Sequence, residues 1–231
     1  MIVVMRVAEG QSVLGDVEPG QRRRELVVPE VPSEEWVASR VEILDRVTAA
    51  ALRLVQVPFT WVWRTAPERF DQVAEIAERI YPSAVVLGSE QTSDAVAPDA
   101  DSFLTVRLDS DDALLPQAMD AAAAMQLPPR ALVNWIRGWQ LGWPSGEVAP
   151  WHWPRRRQGP FLAVTHEDRD LMLDAGIPHG TARQGRTVVE VEDRSWLQTI
   201  HGRNLMNRWR KQEPLGPEDA DEVLGAAGIR L

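Results

Sequence analysis

The sequence predicts an α/β domain built on a mixed, mostly parallel sheet flanked by helices, with an aromatic β-hairpin in its second half. In the first half, short β-branched or aromatic runs alternate with stretches of 3.6-residue apolar periodicity, as in layered α/β proteins. In the second half, tryptophans recur around a turn with a spacing typical of strands. We place a single domain at residues 1–210 and expect 211–231 to be a peripheral C-terminal tail with a short helix.

Hydrophobic periodicity predicts each element of the first half. Ser33 and the two acidic residues after it open a long amphipathic helix, and the apolar stripe from Phe70 to Ile80 predicts a second helix. Four strands are predicted, at 1–7, 59–63, 84–87 and 102–108. The last of these is apolar enough to be buried on both faces, as strands of a parallel sheet are.

The second half has fewer helical signals. Residues 131–143 fit either a helix or a strand by their tryptophan spacing, but Gly138 and Gly142 favour a strand because glycine weakens a helix interior. Pro144 to Gly146 is a turn signal, after which 147–153 should return antiparallel. Further strands are expected at 161–165 and 187–191, and a short helix from Pro217 to Leu224.

The composition narrows the possible partners and compartment. The chain has 231 residues, 44% of them apolar and 26% charged, and its net charge of −9 argues against a general nucleic-acid or anionic-membrane binder. No stretch approaches the roughly 20 apolar residues of a membrane span, so we expect no integral membrane segment and a cytoplasmic protein. Because cysteine is absent, a thiolate ligand for a metal is excluded, and any nitrogen ligand must come from one of four histidines.

An acidic cluster follows the most apolar predicted strand, and ligands of open α/β sheets bind at the carboxyl ends of strands. If the backbone stays extended, Asp109 and Asp111 share a face and could hold one hard cation, Mg²⁺ or Mn²⁺. Alternatively, the cluster is a turn in which Asp112 caps a helix over 113–125, with Pro116 in its first turn. The two interpretations are compatible.

Several segments resemble a known family. The strand ending Arg107-Leu-Asp-Ser-Asp-Asp112 is similar to the DxD signature of GT-A fold glycosyltransferases. Three further segments, in matching order over about residues 30–210, resemble the rhamnosyltransferase-like family of that fold: 59–63, 159–167 and above all the Trp-Leu-Gln-Thr-Ile-His-Gly-Arg-Asn block at 196–204. The end of the first strand, the Gly-Pro pair before Phe161 and the basic aromatic segment 151–157 depart from the family pattern.

The resemblance implies a GT-A-like fold and a cation site. Asp111 would coordinate Mn²⁺ or Mg²⁺ directly, with His201 as a further ligand. Asp109 would contact the nucleotide ribose, or the metal through water, and Asp112 would position the sugar or support the pair. The nucleotide-binding set is completed by the residues whose charge or backbone would meet the donor phosphates, Arg107, Arg203 and Asn204.

The same resemblance implies that the protein moves a sugar from a dTDP-, UDP- or GDP-sugar to an acceptor hydroxyl, with rhamnose one candidate sugar. The expected route is a direct displacement that inverts the configuration of the sugar. The acceptor could be a glycan, a protein or a small molecule. Inversion requires a carboxylate within hydrogen-bond reach of the acceptor hydroxyl, to remove its proton. Glu167 is the first choice for this base and Asp168 the second.

Two other classes of function stay open. A metal-dependent phosphodiesterase or nuclease could use the acidic cluster with His201 and Glu167, although such sites usually gather more carboxylates and the acidic chain suits a polyanion poorly. A non-catalytic carbohydrate-binding protein would instead use the tryptophans of 135–153, whose faces can stack on sugar rings. Those tryptophans could equally cover the core of the hairpin.

Overall fold

The structure is a computed structural model that describes residues 1–6, 12–14, 25–27, 34–88, 96, 103–152, 162–166, 183–201, 209 and 213–231. The strands of the first half are β1 (Ile2–Arg6), β2 (Ser12–Leu14), β3 (Glu25–Val27), β4 (Thr60–Thr65), β5 (Val85–Gly88) and β6 (Phe103–Asp109). Those of the second half are β7 (Ala113–Leu114), β8 (Ala131–Gly142), β9 (Val148–His152), β10 (Leu162–His166) and β11 (Thr187–Ile200). The expected strands are therefore present, with ends shifted by a few residues, and β11 is longer than expected.

The first helix is continuous but not uniform. An α-helical part, Glu34–Ile43, passes into a π-helical stretch, Leu44–Ala49, and ends in the short α-helical segment Ala50–Leu52. We call these three parts together α1. The other helices are α2 (Phe70–Ile80), α3 (Pro116–Ala124) and α4 (Pro217–Ala226).

Nine strands form one mixed sheet in the order β5-β4-β1-β6-β10-β8-β11-β7, with β9 paired to β8, and β2 and β3 form a separate ribbon. Four pairings in the large sheet are parallel. The other four described pairings are antiparallel, because β10 opposes both of its neighbours and β7 and β9 are return strands. The sheet is thus evenly mixed rather than mostly parallel, since apolar periodicity carries no information on strand direction.

One face of the sheet packs against the helices. Registered pairs place Trp61, Val106 and Val133 in one row, and these side chains share a core with buried residues of α1, α2 and α3. The largest fully buried side chains include four tryptophans: Trp61, Trp63, Trp135 and Trp196. Burying an aromatic side chain removes about 150–250 Å² from water, so four of the chain's ten tryptophans contribute a large apolar area to the core.

The C-terminal segment packs into this core. The expected short helix is present as α4, and four side chains of the segment are buried in the main cluster: Ala220, Leu224, Ala227 and Ile229. The description of 211–231 as peripheral therefore does not fit these residues, although the domain boundary at 210 stays a prediction. Among the described residues, every helix is too short or too polar to cross a bilayer.

Candidate functional site

The acidic cluster lies where β6 ends. Asp109 is the last residue of β6 and is registered with Arg6 at the end of β1, so the cluster begins at the carboxyl edge of two parallel strands. The chain then turns, with the Asp112 N–H donating to the Asp109 carbonyl at 3.3 Å. The backbone is therefore not extended from Asp109 to Asp111, so the condition under which these two side chains would share a face is not met. Asp109 keeps 42% of its side chain exposed, whereas Asp111 keeps 9%.

The turn is joined to the last strand of the sheet. Immediately after it, β7 pairs antiparallel with β11 through Ala113 to Leu197 and Leu114 to Trp196. The Leu115 N–H also donates to the Ser195 carbonyl at 2.8 Å. This pairing brings the turn alongside the end of β11, where the sequence block that resembles the glycosyltransferase family begins.

The consequence is a contact between two residues that are 90 positions apart. His201 Nε2 lies 3.0 Å from Asp111 Oδ2, and the side chains are 8% and 9% exposed. The Arg40 guanidinium, from α1, forms a short ion pair with the same carboxylate oxygen. Burial opposes the ionisation of Asp111, but the His201 hydrogen bond and the Arg40 charge outweigh it, so the pKa of Asp111 lies below its ordinary value.

Asp112, the last residue of the turn, is buried and holds the turn to its neighbours. Its Oδ1 accepts the Thr199 N–H at 2.7 Å, and its carbonyl accepts the Thr48 hydroxyl at 2.8 Å. Its Oδ2 is buried and has no hydrogen-bond partner in the described part of the chain. Burial, followed by the charges of Asp111 and Asp109, raises the pKa of Asp112 well above its ordinary value.

Asp112 does not cap the following helix, contrary to the alternative considered from the sequence. Helix α3 begins at Pro116, its N-cap is Leu115, and residues 113–114 form β7 instead of helix. Pro116 does lie in the first turn of α3, as expected. The Asp112 carboxylate does not cap α3 because it accepts a hydrogen bond from the Thr199 N–H of β11 instead.

The described residues offer a cation two protein ligands. Asp111 supplies a carboxylate oxygen and His201 an imidazole nitrogen, both of which first-row divalent metals accept. Within the described ranges, no three His, Asp or Glu side chains converge, so phosphate and water oxygens would have to complete the coordination shell. The donor set fits a cation that arrives with a diphosphate, provided that Arg40 gives up its place on Asp111.

The other predicted site residues are less enclosed or are not described. Arg107 and Asp109 form a loose ion pair at 3.9 Å, and their side chains are 30% and 42% exposed. Glu167, Asp168, Arg203 and Asn204 lie outside the described residues, so their roles stay predictions.

Three site residues were not predicted from the sequence: Arg40, Thr48 and Thr199. Arg40 and Thr48 are eight residues apart, whereas two α-helical turns take about 7.2 residues. The π-helical stretch between them accommodates the extra residue, which lets both side chains reach the turn. A π-helical insertion leaves no periodic signal, but Thr199 lies inside the family-like 196–204 block and could have been suspected from it.

The described tryptophans of the hairpin pack against the core: Trp135 is buried within it, and Trp139, Trp143 and Trp151 are partly buried against it. Trp135 is fully buried, and the Arg194 guanidinium lies 4.3 Å from the ring centroid of Trp139. Arg46 lies 5.2 Å from the ring centroid of Trp143. These contacts favour the interpretation that these tryptophans cover the core, while Trp153 lies outside the described residues.

Comparisons with known proteins identify no family. No protein-family model matches the sequence, and the search of curated proteins found no match. Among solved structures, 4-diphosphocytidyl-2C-methyl-D-erythritol synthase from Anaerococcus prevotii aligns at a TM-score of 0.42 and 11% identity, covering 97% of this chain and 94% of that one. HddC from Yersinia pseudotuberculosis, complexed with GMP-PN, aligns at a TM-score of 0.33 and 10% identity, covering 97% of this chain and 98% of that one. Likenesses this distant do not assign a function to the chain.

Proposed function

We propose that the protein is a GT-A-like glycosyltransferase that moves a sugar from a nucleotide-diphosphate donor to an acceptor hydroxyl with the aid of Mn²⁺ or Mg²⁺. The observation that supports this is the buried contact between Asp111 and His201. These residues belong to the two most distinctive segments of the family resemblance, and packing brings the two segments together at a strand end. Ligands of α/β sheets bind at such ends.

The cation site is built from residues with complementary chemistry. Asp111 and His201 would hold the cation, whose chemical contribution is to neutralise the charge that develops on the departing nucleoside diphosphate. Asp109, which is partly exposed beside Arg107, is available to a ribose hydroxyl or a metal-bound water. Asp112 holds the turn to β11 through Thr199 and so fixes the direction of Asp111.

The remaining roles follow from the resemblance. Arg203 and Asn204 would contact the diphosphate of a dTDP-, UDP- or GDP-sugar, with rhamnose one candidate sugar. Glu167, or failing it Asp168, would remove the proton of the acceptor hydroxyl in a single inverting displacement. The acceptor is a glycan, a protein or a small molecule.

Thermal unfolding with nucleotides and metal tests this function. UDP, GDP or dTDP at about 100 times its Kd should add about 2.7 kcal/mol of stability, but only when Mn²⁺ is present. For a chain of this size that corresponds to a rise in Tm of about 5–10 °C. Asp111→Asn should abolish the metal-dependent rise, while Asp221→Asn, which alters an exposed carboxylate on α4, should retain it.

Other outcomes would select the alternative functions. Stabilisation by free sugars alone, without nucleotide or metal, would identify a carbohydrate-binding protein. Cleavage of an oligonucleotide, with no stabilisation by any nucleoside diphosphate, would identify a phosphodiesterase or nuclease. An Asp111→Asn variant that binds donor and metal as the wild type does would refute the cation site.

A further inference from the structure

Arg40 occupies the position at the site that a divalent cation would need. Its guanidinium contacts Asp111 Oδ2, the same oxygen that His201 Nε2 approaches to 3.0 Å. The three side chains keep only 8–12% of their surface exposed, so the ion pair is largely shielded from water. A buried pair of this kind holds its geometry more firmly than a surface pair, because one partner left alone would be a desolvated charge.

The position of Arg40 is set by a second attachment on its own helix. Eight residues further along α1, the buried Thr48 hydroxyl donates to the Asp112 carbonyl at 2.8 Å. The helix is thus fixed to the acidic turn at two successive residues of that turn, Asp111 and Asp112. Arg40 is therefore delivered to Asp111 by the packing of α1 and does not reach it as a flexible surface side chain.

A guanidinium and a divalent cation compete for one carboxylate oxygen, since two positive charges that share it repel each other at close range. If a cation takes Asp111 Oδ2, Arg40 loses this contact while remaining beside the site. A guanidinium next to a cation-bound diphosphate is well suited to bind phosphate oxygens, because its planar set of N–H donors matches their geometry.

We propose that Arg40 is the resident counter-ion of this site. It neutralises Asp111 while the site is empty, yields that oxygen to the divalent cation, and then binds the diphosphate that accompanies the cation. This inference rests on the proposed function, since it takes Asp111 as a cation ligand. It implies that cation and diphosphate bind cooperatively. A cation alone breaks the ion pair between Arg40 and Asp111, whereas a diphosphate that arrives with it offers the Arg40 guanidinium phosphate oxygens in exchange.

Arg40→Gln separates this role from a purely structural one. The variant should bind Mn²⁺ alone at least about fivefold more tightly than the wild type. Fivefold is the lower end of the couplings usually measured between two binding sites. With Mn²⁺ saturating, it should bind inorganic pyrophosphate at least about fivefold more weakly. If Arg40 merely held Asp111 in place, its loss would weaken the binding of Mn²⁺ as well as the binding of pyrophosphate. Calorimetry can measure the pyrophosphate affinity, and the electron paramagnetic resonance of free Mn²⁺ can measure the metal affinity.

Arg46→Gln is the matched control. Arg46 lies on the same helix, but its guanidinium contacts the Glu42 carboxylate and the Arg230 carbonyl, so both affinities should match those of the wild type. Circular dichroism and thermal unfolding of both variants would show whether each is folded. The proposed exchange of Arg40 for the cation at Asp111 would be overturned by equal Mn²⁺ affinity in Arg40→Gln and Arg46→Gln, or by weaker Mn²⁺ binding in Arg40→Gln. Either result would leave the cation site in place.

A wild-type measurement covers the case in which Arg40→Gln does not fold. In ¹⁵N-labelled protein, the guanidinium resonance of Arg40, assigned by its loss in Arg40→Lys, should shift when Mg²⁺ and pyrophosphate are added. A resonance that stays in place while the ligands bind would overturn the exchange. Absence of Mn²⁺ binding in both the wild type and Arg40→Gln would overturn the exchange and the proposed cation site together.

Discussion

Gly138 in β8 lies under the ring of Trp196, and adding one methyl group there should destabilise the fold. A Cβ atom at this position would lie 2.1 Å from Trp196 Cδ2 and 2.4 and 2.5 Å from two further ring atoms. Trp196 is fully buried, and its indole N–H donates to the Trp135 carbonyl at 3.1 Å. The ring therefore cannot move aside without breaking that bond or displacing other core side chains.

Two contributions set the expected cost of Gly138→Ala. Overpacking a well-filled core typically costs about 1–3 kcal/mol. Weakening the hydrogen bond from Trp196 to the Trp135 carbonyl adds about 0.5–1.5 kcal/mol. The free energy of unfolding should therefore fall by about 1.5–4.5 kcal/mol, which corresponds to a Tm lower by roughly 3–18 °C for a chain of this length.

Urea unfolding followed by tryptophan fluorescence measures this change as a lower midpoint at unchanged slope. Gly225→Ala is the control, because a Cβ atom added at this exposed glycine of α4 would meet no other atom within 4 Å. This variant should gain about 0.5–1 kcal/mol of stability from better helix propensity. In the double variant Gly138→Ala/Trp196→Leu, the clash should be largely relieved. A loss below about 1 kcal/mol in Gly138→Ala would refute the packing argument.

Two further predictions concern the carboxylates. Because the pKa of Asp112 is raised on folding, its contribution to stability is complete below the unfolded value of about 3.9 and is lost as the pH rises through the folded value. Asp112→Asn cannot ionise, so in urea titrations its free energy of unfolding should decline less than that of the wild type as the pH rises above the unfolded value of about 3.9; equal declines would contradict the assignment. Glu167→Gln should bind donor normally yet lose about 10²–10⁴-fold in transfer, measured as nucleoside diphosphate release, whereas full turnover would place the base elsewhere.

The strands and helices were largely predictable because each depends on local periodicity. In 131–143, Gly138 favoured a strand for its poor helix propensity, and the structure adds that Trp196 packs where a side chain would be. Strand direction was not predictable in this way. Whether β10 runs with or against its neighbours depends on connections across the chain, which apolar alternation does not encode.

The candidate site was predictable in part. The motifs selected Asp111 and His201 separately, and their proximity follows from the pairing of β7 with β11. The alternative in which Asp112 caps a helix is wrong, because its carboxylate accepts the N–H of Thr199, which is 87 residues away. No local rule connects residues at that separation.

The sequence by itself determined the α/β composition, the elements and the acidic and histidine motifs, because these are properties of neighbouring residues. Only the tertiary structure decided which charges meet. The π-helical stretch in α1 turns Arg40 and Thr48 toward the acidic turn, and strand pairing brings Thr199 and His201 to its other side. The same three aspartates thereby acquire different environments: Asp109 is partly exposed, Asp111 is ion-paired, and Asp112 is buried with a raised pKa, since burial and neighbouring charge are set by packing.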